Sequence, residues 1–170
     1  LLAVAFARPF IPQTVLDRTG WSARSVVILL DTSMSMQYAD TFAQAKTAAL
    51  DILGSLHAGD EAGLVTFSDN TGQVKELTTD LSQLAAFVRQ LDSPGFNSTS
   101  YLPAIRLADQ MLRAARHSDK TVYLISDYRQ RAVVAFDTRW RLSPGVDFES
   151  IRIGDENTTG KMIRSMYHPC

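Results

Sequence analysis

The sequence predicts an α/β fold of three layers, a mostly parallel central sheet with one antiparallel edge strand and helices on both faces. Three observations predict it. Short β-branched apolar runs alternate with segments of helical periodicity, the pattern of a parallel sheet covered on both sides. Two strand-like runs follow one another across a single turn, as in a hairpin at a sheet edge. The 170 residues are 45% hydrophobic, enough for one domain with a proper core.

Taken in order, Ser25–Leu30 is a short apolar run ending in Asp31, suited to a strand buried on both faces. Phe42, Ala45, Ala49, Ile52 and Leu56 recur at spacings of three and four, one face of a helix. Glu61–Phe67 and Gly72–Leu77 form the hairpin, joined by the turn-like Ser68-Asp69-Asn70-Thr71. Asp80, with Gln83 three residues on, caps a helix whose apolar stripe is Leu81, Leu84, Val88 and Leu91. A polar loop over residues 92–100 leads to another helix, with Pro103 in its first turn and Ile105, Ala108, Leu112 and Ala115 buried. Thr121–Ile125 is a further core strand, followed by Ser126 and Asp127. A short helical segment around Val133–Trp140, a turn at Ser143-Pro144-Gly145 and a strand over Val146–Ile153 complete the order.

The 17 basic and 18 acidic residues nearly cancel, so charge gives no reason to expect nucleic acid as a ligand. The single cysteine, Cys170, excludes an internal disulfide and a cysteine-based zinc site. Leu1–Ala7 is too short to cross a bilayer, which takes about 20 residues. It reads either as a buried strand or as the last turns of a membrane helix leaving at Arg8-Pro9.

In an open α/β sheet, ligands bind at the carboxyl ends of the strands. Three polar clusters fall there: Asp31-Thr32-Ser33-Met34-Ser35, Asn97-Ser98-Thr99 and Asp127. Asp31, Ser33 and Ser35 alternate, so an extended loop would turn three oxygens toward one point. Loops from neighbouring strands would bring Thr99 and Asp127 to the same point. Two carboxylates and three hydroxyls make an all-oxygen set, the kind a hard divalent cation takes. Mg²⁺ is the first candidate, with Mn²⁺ or Ca²⁺ as alternatives. Two carboxylates at most balance the ion, and an open coordination position would favour an Asp or Glu from a partner protein.

Val26–Ser35 resembles the Asp-x-Ser-x-Ser signature of the metal-ion-dependent adhesion site (MIDAS) in the von Willebrand factor type A (VWA) family. Thr99 in Asn97-Ser98-Thr99-Ser100 and Asp127 in Leu124-Ile125-Ser126-Asp127 match that family's two further ligand positions. The resemblance spans residues 25–153 and implies a Rossmann-like VWA domain, with Asp31, Ser33 and Ser35 as the primary loop. Thr99 and Asp127 would bind directly or through water. Asn97-Ser98 stands where the family often has two glycines. A narrower likeness, carried by Ala7-Arg8-Pro9, Trp140, Ser143-Pro144-Gly145 and Gly154-Asp155-Glu156, is to bacterial membrane-anchored VWA proteins of the aerotolerance (BatA-like) group. It implies that residues 1–10 end a membrane helix, that 11–24 are a linker and that the domain lies in the periplasm. Residues 154–170 remain an unassigned tail. MoxR-type AAA+ ATPases are companions that the family implies.

The function expected is a metal-dependent adhesion or scaffold module rather than an enzyme. Two alternatives stand beside it. One is Mg²⁺-dependent phosphoryl transfer from the strand-end Asp31, but the haloacid-dehalogenase pattern wants a second Asp where Ser33 stands. The loops at 31–35 and 97–100 also lack a basic residue, and there is no Gly-rich phosphate loop. The other is a structural domain of a membrane complex that works without metal. His57, His117 and His168 read as surface residues. Met34 and Met36 read as packing or rim residues, and Tyr128, Arg129 and Arg131 as rim candidates.

Overall fold

The computed structural model describes residues 22–38, 40–128 and 141–154. The membrane-helix, linker and tail assignments at the two ends, the helical segment around Val133–Trp140, Arg129, Arg131 and His168 therefore lie outside the described residues, apart from a few linker and tail positions. Five strands form one sheet: β1 (Arg24–Asp31), β2 (Glu61–Phe67), β3 (Thr71–Thr78), β4 (Asp119–Ser126) and β5 (Val146–Arg152). Three helices cover it: α1 (Thr41–Gly54), α2 (Leu81–Gln90) and α3 (Tyr101–Arg113). The strand order is β3-β2-β1-β4-β5. β1 pairs in parallel with both β2 and β4, β5 is parallel to β4, and β3 is the antiparallel edge.

Alternation along β1 sorts its side chains into two cores, because successive residues of a strand point to opposite faces. Val26, Ile28 and Leu30 pack with Phe42, Ala45, Ala49 and Ile52 of α1 and Leu84 and Val88 of α2. Val27 and Leu29 pack with Tyr101, Ala104, Ile105, Ala108 and Leu112 of α3. A strand with both faces covered needs apolar residues at every position, which is why Val26–Leu30 shows no polar alternation. The exposed edge strand β3 is mostly polar, with Val74 and Leu77 its apolar residues, carries Lys75 and Glu76, and pairs with β2 through irregular register. Bulges and charges of this kind discourage edge-to-edge association. The hairpin packs so closely at Gly63 that a Cβ there would meet the Lys75 carbonyl at 3.0 Å and the Met111 methyl at 2.8 Å.

Two local expectations change. Ala115 is half-buried, because α3 ends at Arg113 and leaves it beyond the last turn. The segment after β1 is not extended throughout: Met34–Gln37 forms a 3-10 turn, closed by Met36 N–H donating to Ser33 O at 3.0 Å. Burial of Met36 in the α1/α2 core draws the chain into that turn, while Met34 stays 51% exposed. The two methionines therefore do different jobs, Met36 in packing and Met34 at the surface.

Candidate functional site

The chain goes from β1 to β2 and β3 on one side of the sheet, then returns to β4 and β5 on the other. The switch point lies between β1 and β4, where an open α/β sheet leaves a crevice at the carboxyl ends of its strands. Asp31 is the last residue of β1, and Asp127 follows the last residue of β4. Because Leu30 is level with Ile125, the two strand ends are in register there.

Four of the five expected residues meet at this point. Ser35 Oγ donates to Asp127 Oδ1 at 3.0 Å, and the Ser33 and Ser35 hydroxyl oxygens lie 3.2 Å apart. Ser33 N–H donates to Asp31 Oδ1 at 2.8 Å, so the loop folds back on the carboxylate it follows. The 3-10 turn, rather than an extended loop, swings Ser35 toward Asp127. Asp31 and Ser33 are fully buried and Asp127 is nearly so.

Thr99 arrives differently. Its loop is docked on the β1 loop by Gly95 N–H to Thr32 O (3.0 Å) and Met34 N–H to Asn97 O (2.9 Å), and on the β2–β3 turn by Ser100 N–H to Ser68 O (2.7 Å). The Gln37 side-chain amide adds bonds to Pro94 O and Gly95 O. Thr99 is half-buried, and among the described residues its hydroxyl makes no hydrogen bond to the other four.

Two supporting residues, Ser126 and Tyr101, were not expected, and Tyr128, expected at the rim, packs with them. Ser126 Oγ donates to Asp31 Oδ2 at 2.5 Å. With its only proton committed there, it accepts from Tyr101 O–H at 3.1 Å and from Tyr128 N–H at 3.3 Å. Tyr101 stacks on Tyr128 and meets Phe67 edge-on, so an aromatic cluster backs the site from the α3 side. Tyr128 adopts a left-handed backbone (φ 52°), an uncommon state for a residue with a side chain that costs on the order of 1 kcal/mol or more. The repeated hydroxyls around strand-end carboxylates were the one available sequence signal for Ser126, which stands beside Asp127.

Burial pushes the Asp31 carboxyl above its ordinary range, and the charge of Asp127 pushes the same way. The Ser126 hydroxyl and the Ser33 N–H and hydroxyl oppose the shift without cancelling it. Burial likewise raises the phenols of Tyr101 and Tyr128, keeping both neutral. Among the described residues no three His, Cys, Asp or Glu side chains converge, so a cation held here would need the hydroxyls as well as the two carboxylates. That donor set is all oxygen, which suits Mg²⁺, Mn²⁺ or Ca²⁺.

Residues 26–130 match the family model of the von Willebrand factor type A domain. No curated protein matches the sequence. Among solved structures, BatB of Bacteroides thetaiotaomicron is similar at a TM-score of 0.60 and 18% identity, over 81% of this chain and 73% of that one. An aerotolerance-related membrane protein of Bacteroides fragilis is similar at a TM-score of 0.64 and 17% identity, over 86% of this chain and 75% of that one. The pilus adhesin SpaC of Lactobacillus rhamnosus is similar at 0.53 and 21% identity, over 64% of this chain but 15% of that one. At these identities the likeness is one of fold. With the family match covering more than half of its length, the chain belongs to the von Willebrand factor type A domain family.

Proposed function

We propose that this domain is a protein-binding module that uses a divalent cation, Mg²⁺ in the first place, rather than an enzyme. The observation that carries the reading is the junction of Asp31, Ser33, Ser35 and Asp127 at the switch point of the sheet. Asp31 and Asp127 would supply the charge, Ser33 and Ser35 neutral oxygens, and Thr99 a further hydroxyl from the docked loop. When bound, the cation supplies an electrophilic point for an Asp or Glu of a partner. The chain's own contribution is to hold two mutually repelling carboxylates in place and to keep water from Asp31. Adhesive proteins such as SpaC carry this fold, which supports binding over catalysis.

The similarity to an aerotolerance-related membrane protein supports a setting at a membrane. Among the described residues no helix is long and apolar enough to cross a membrane.

Mn²⁺ titration followed by electron paramagnetic resonance tests the site, since bound Mn²⁺ loses the sharp spectrum of the free ion. The wild type is expected to take up one equivalent, Asp31→Ala none, and Mg²⁺ is expected to compete. Equal uptake by wild type and Asp31→Ala would remove the proposed site.

A further inference from the structure

We propose that the partner's acidic residue is accompanied by a bulky apolar side chain, which packs on a rim formed by Phe96, Met34 and Tyr38; this rests on the metal-dependent reading above. Four large hydrophobic residues stand exposed among the described residues, and three of them are these, on the two loops that frame the site. Phe96 is 83% exposed.

Its backbone is nevertheless fixed. Gly95 is bonded to Thr32 and Asn97 to Met34, so Phe96 sits between two hydrogen bonds that bracket Ser33. Gln37 ties the same loop to the 3-10 turn that carries Ser35 and leads to Tyr38. Phe96 and Ser33 thus occupy matching positions on two joined loops. Ser33 points into the carboxylate cluster and the Phe96 ring projects outward.

An exposed aromatic ring on a braced backbone loses little freedom when it is covered, and such rings dominate interface energetics. Solvent gives no reason for apolar residues to gather here, whereas a partner surface does. The rim also has a charge preference. Asp69, exposed on the β2–β3 turn, accepts from Asn97 Nδ2 at 3.2 Å and places a negative charge beside the Phe96 loop. A second acid on the partner would be repelled there. The occupant is therefore a protein loop with a single Asp or Glu flanked by Leu, Phe, Met or a similar side chain.

The probe is a displayed library of heptapeptides with a fixed central Asp and randomised flanks, selected on the full chain in millimolar Mg²⁺. On wild type, apolar residues are expected to be enriched beside the Asp and acids depleted. On Phe96→Ser, affinity for the selected peptides is expected to fall roughly tenfold and the apolar enrichment to disappear. Mg²⁺ uptake by Phe96→Ser should equal that of wild type, which separates the rim from the metal site. The same flank preference on both proteins, polar flanks on wild type, or no Mg²⁺-dependent enrichment at all would overturn the proposal. A wild type that takes up no Mg²⁺ would instead overturn the metal reading, and this inference with it.

Discussion

The two ends of the sheet both bury carboxylates, and they treat them in opposite ways. At the amino end, Asp60 accepts from the backbone N–H groups of Arg24 (3.0 Å) and His57 (2.9 Å), with the Arg24 guanidinium 3.7 Å away. Burial alone would push its carboxyl up, but those two N–H bonds and the Arg24 charge outweigh it and leave the group below its ordinary range. Next to it, Glu61 accepts from Ser25 Oγ and Arg116 N–H, both at 2.8 Å, with Arg116 Nε at 3.9 Å. At the carboxyl end, Asp31 receives one backbone N–H and hydroxyls, and the charge that acts on it is the like charge of Asp127. The amino end is compensated within the fold. The carboxyl end keeps an electrostatic cost that a bound cation would relieve, which is the contrast expected between a structural end and a working end.

The largest expected effect lies at the amino end. Glu61→Ala leaves the buried Ser25 hydroxyl without its acceptor and removes the acceptor of the partly buried Arg116 N–H bond, and should cost about 2–3 kcal/mol of folding stability, with or without Mg²⁺. Urea unfolding in both buffers checks it. A loss confined to one buffer would break the contrast between the ends.

At the carboxyl end the effect should depend on the cation. If the wild type binds Mg²⁺, a concentration about 100 times the dissociation constant adds about 2.7 kcal/mol, and Asp31→Ala should abolish that gain. Thermal unfolding with Mg²⁺ and with a chelator measures it.

The pH dependence sharpens the comparison because the two shifts have opposite signs. Asp31, raised in the fold, contributes a stability that is present below the ordinary carboxylate range and lost as pH rises through its raised value. Asp60, lowered in the fold, contributes stability above the ordinary range that is lost as pH falls through its lowered value. In chelator, Asp31→Asn should therefore be more stable than wild type at neutral pH and lose that advantage in acid. Asp60→Asn should be less stable at neutral pH and approach wild type in acid. Denaturation series across the acid range would show two diverging curves; parallel curves would remove the distinction.

A smaller effect is expected for Gln37→Ala, which removes the amide bonds to Pro94 O and Gly95 O. About 1 kcal/mol of stability should be lost, together with faster hydrogen exchange at Gly95 and Met34, whose N–H groups join the two loops.

The candidate site at the carboxyl end was largely legible in the sequence and the compensated amino end was not. Asp31 and Asp127 each close an apolar run, and that position names the carboxyl end of a buried strand. Ser33 and Ser35 stand out by alternation. The 3-10 turn at Met34–Gln37 spans too few residues to leave a periodic signature, so the means by which Ser35 reaches Asp127 could not be read. Asp60 looks like an ordinary polar turn residue before a strand, and Glu61 like a polar residue at that strand's start. Their burial depends on Arg24, His57 and Ser25 closing over them, a consequence of strand register that local pattern does not carry. Ser126 was passed over for the same reason: its bond to Asp31 joins residues on neighbouring strands. The hairpin and the Asp80 cap needed only local information. Asp80 Oδ1 accepts from Gln83 N–H at 3.0 Å, as the spacing of the two residues predicts.

Calorimetric titration of Mg²⁺ into chelator-stripped protein decides whether this site holds the cation, with Asp31→Ala, Thr99→Ala and Asp60→Asn beside the wild type. Saturable one-site binding is expected in wild type, the same in folded Asp60→Asn, weaker binding in Thr99→Ala and none in Asp31→Ala. Absence of binding in wild type, or its survival in Asp31→Ala, would contradict the proposed site.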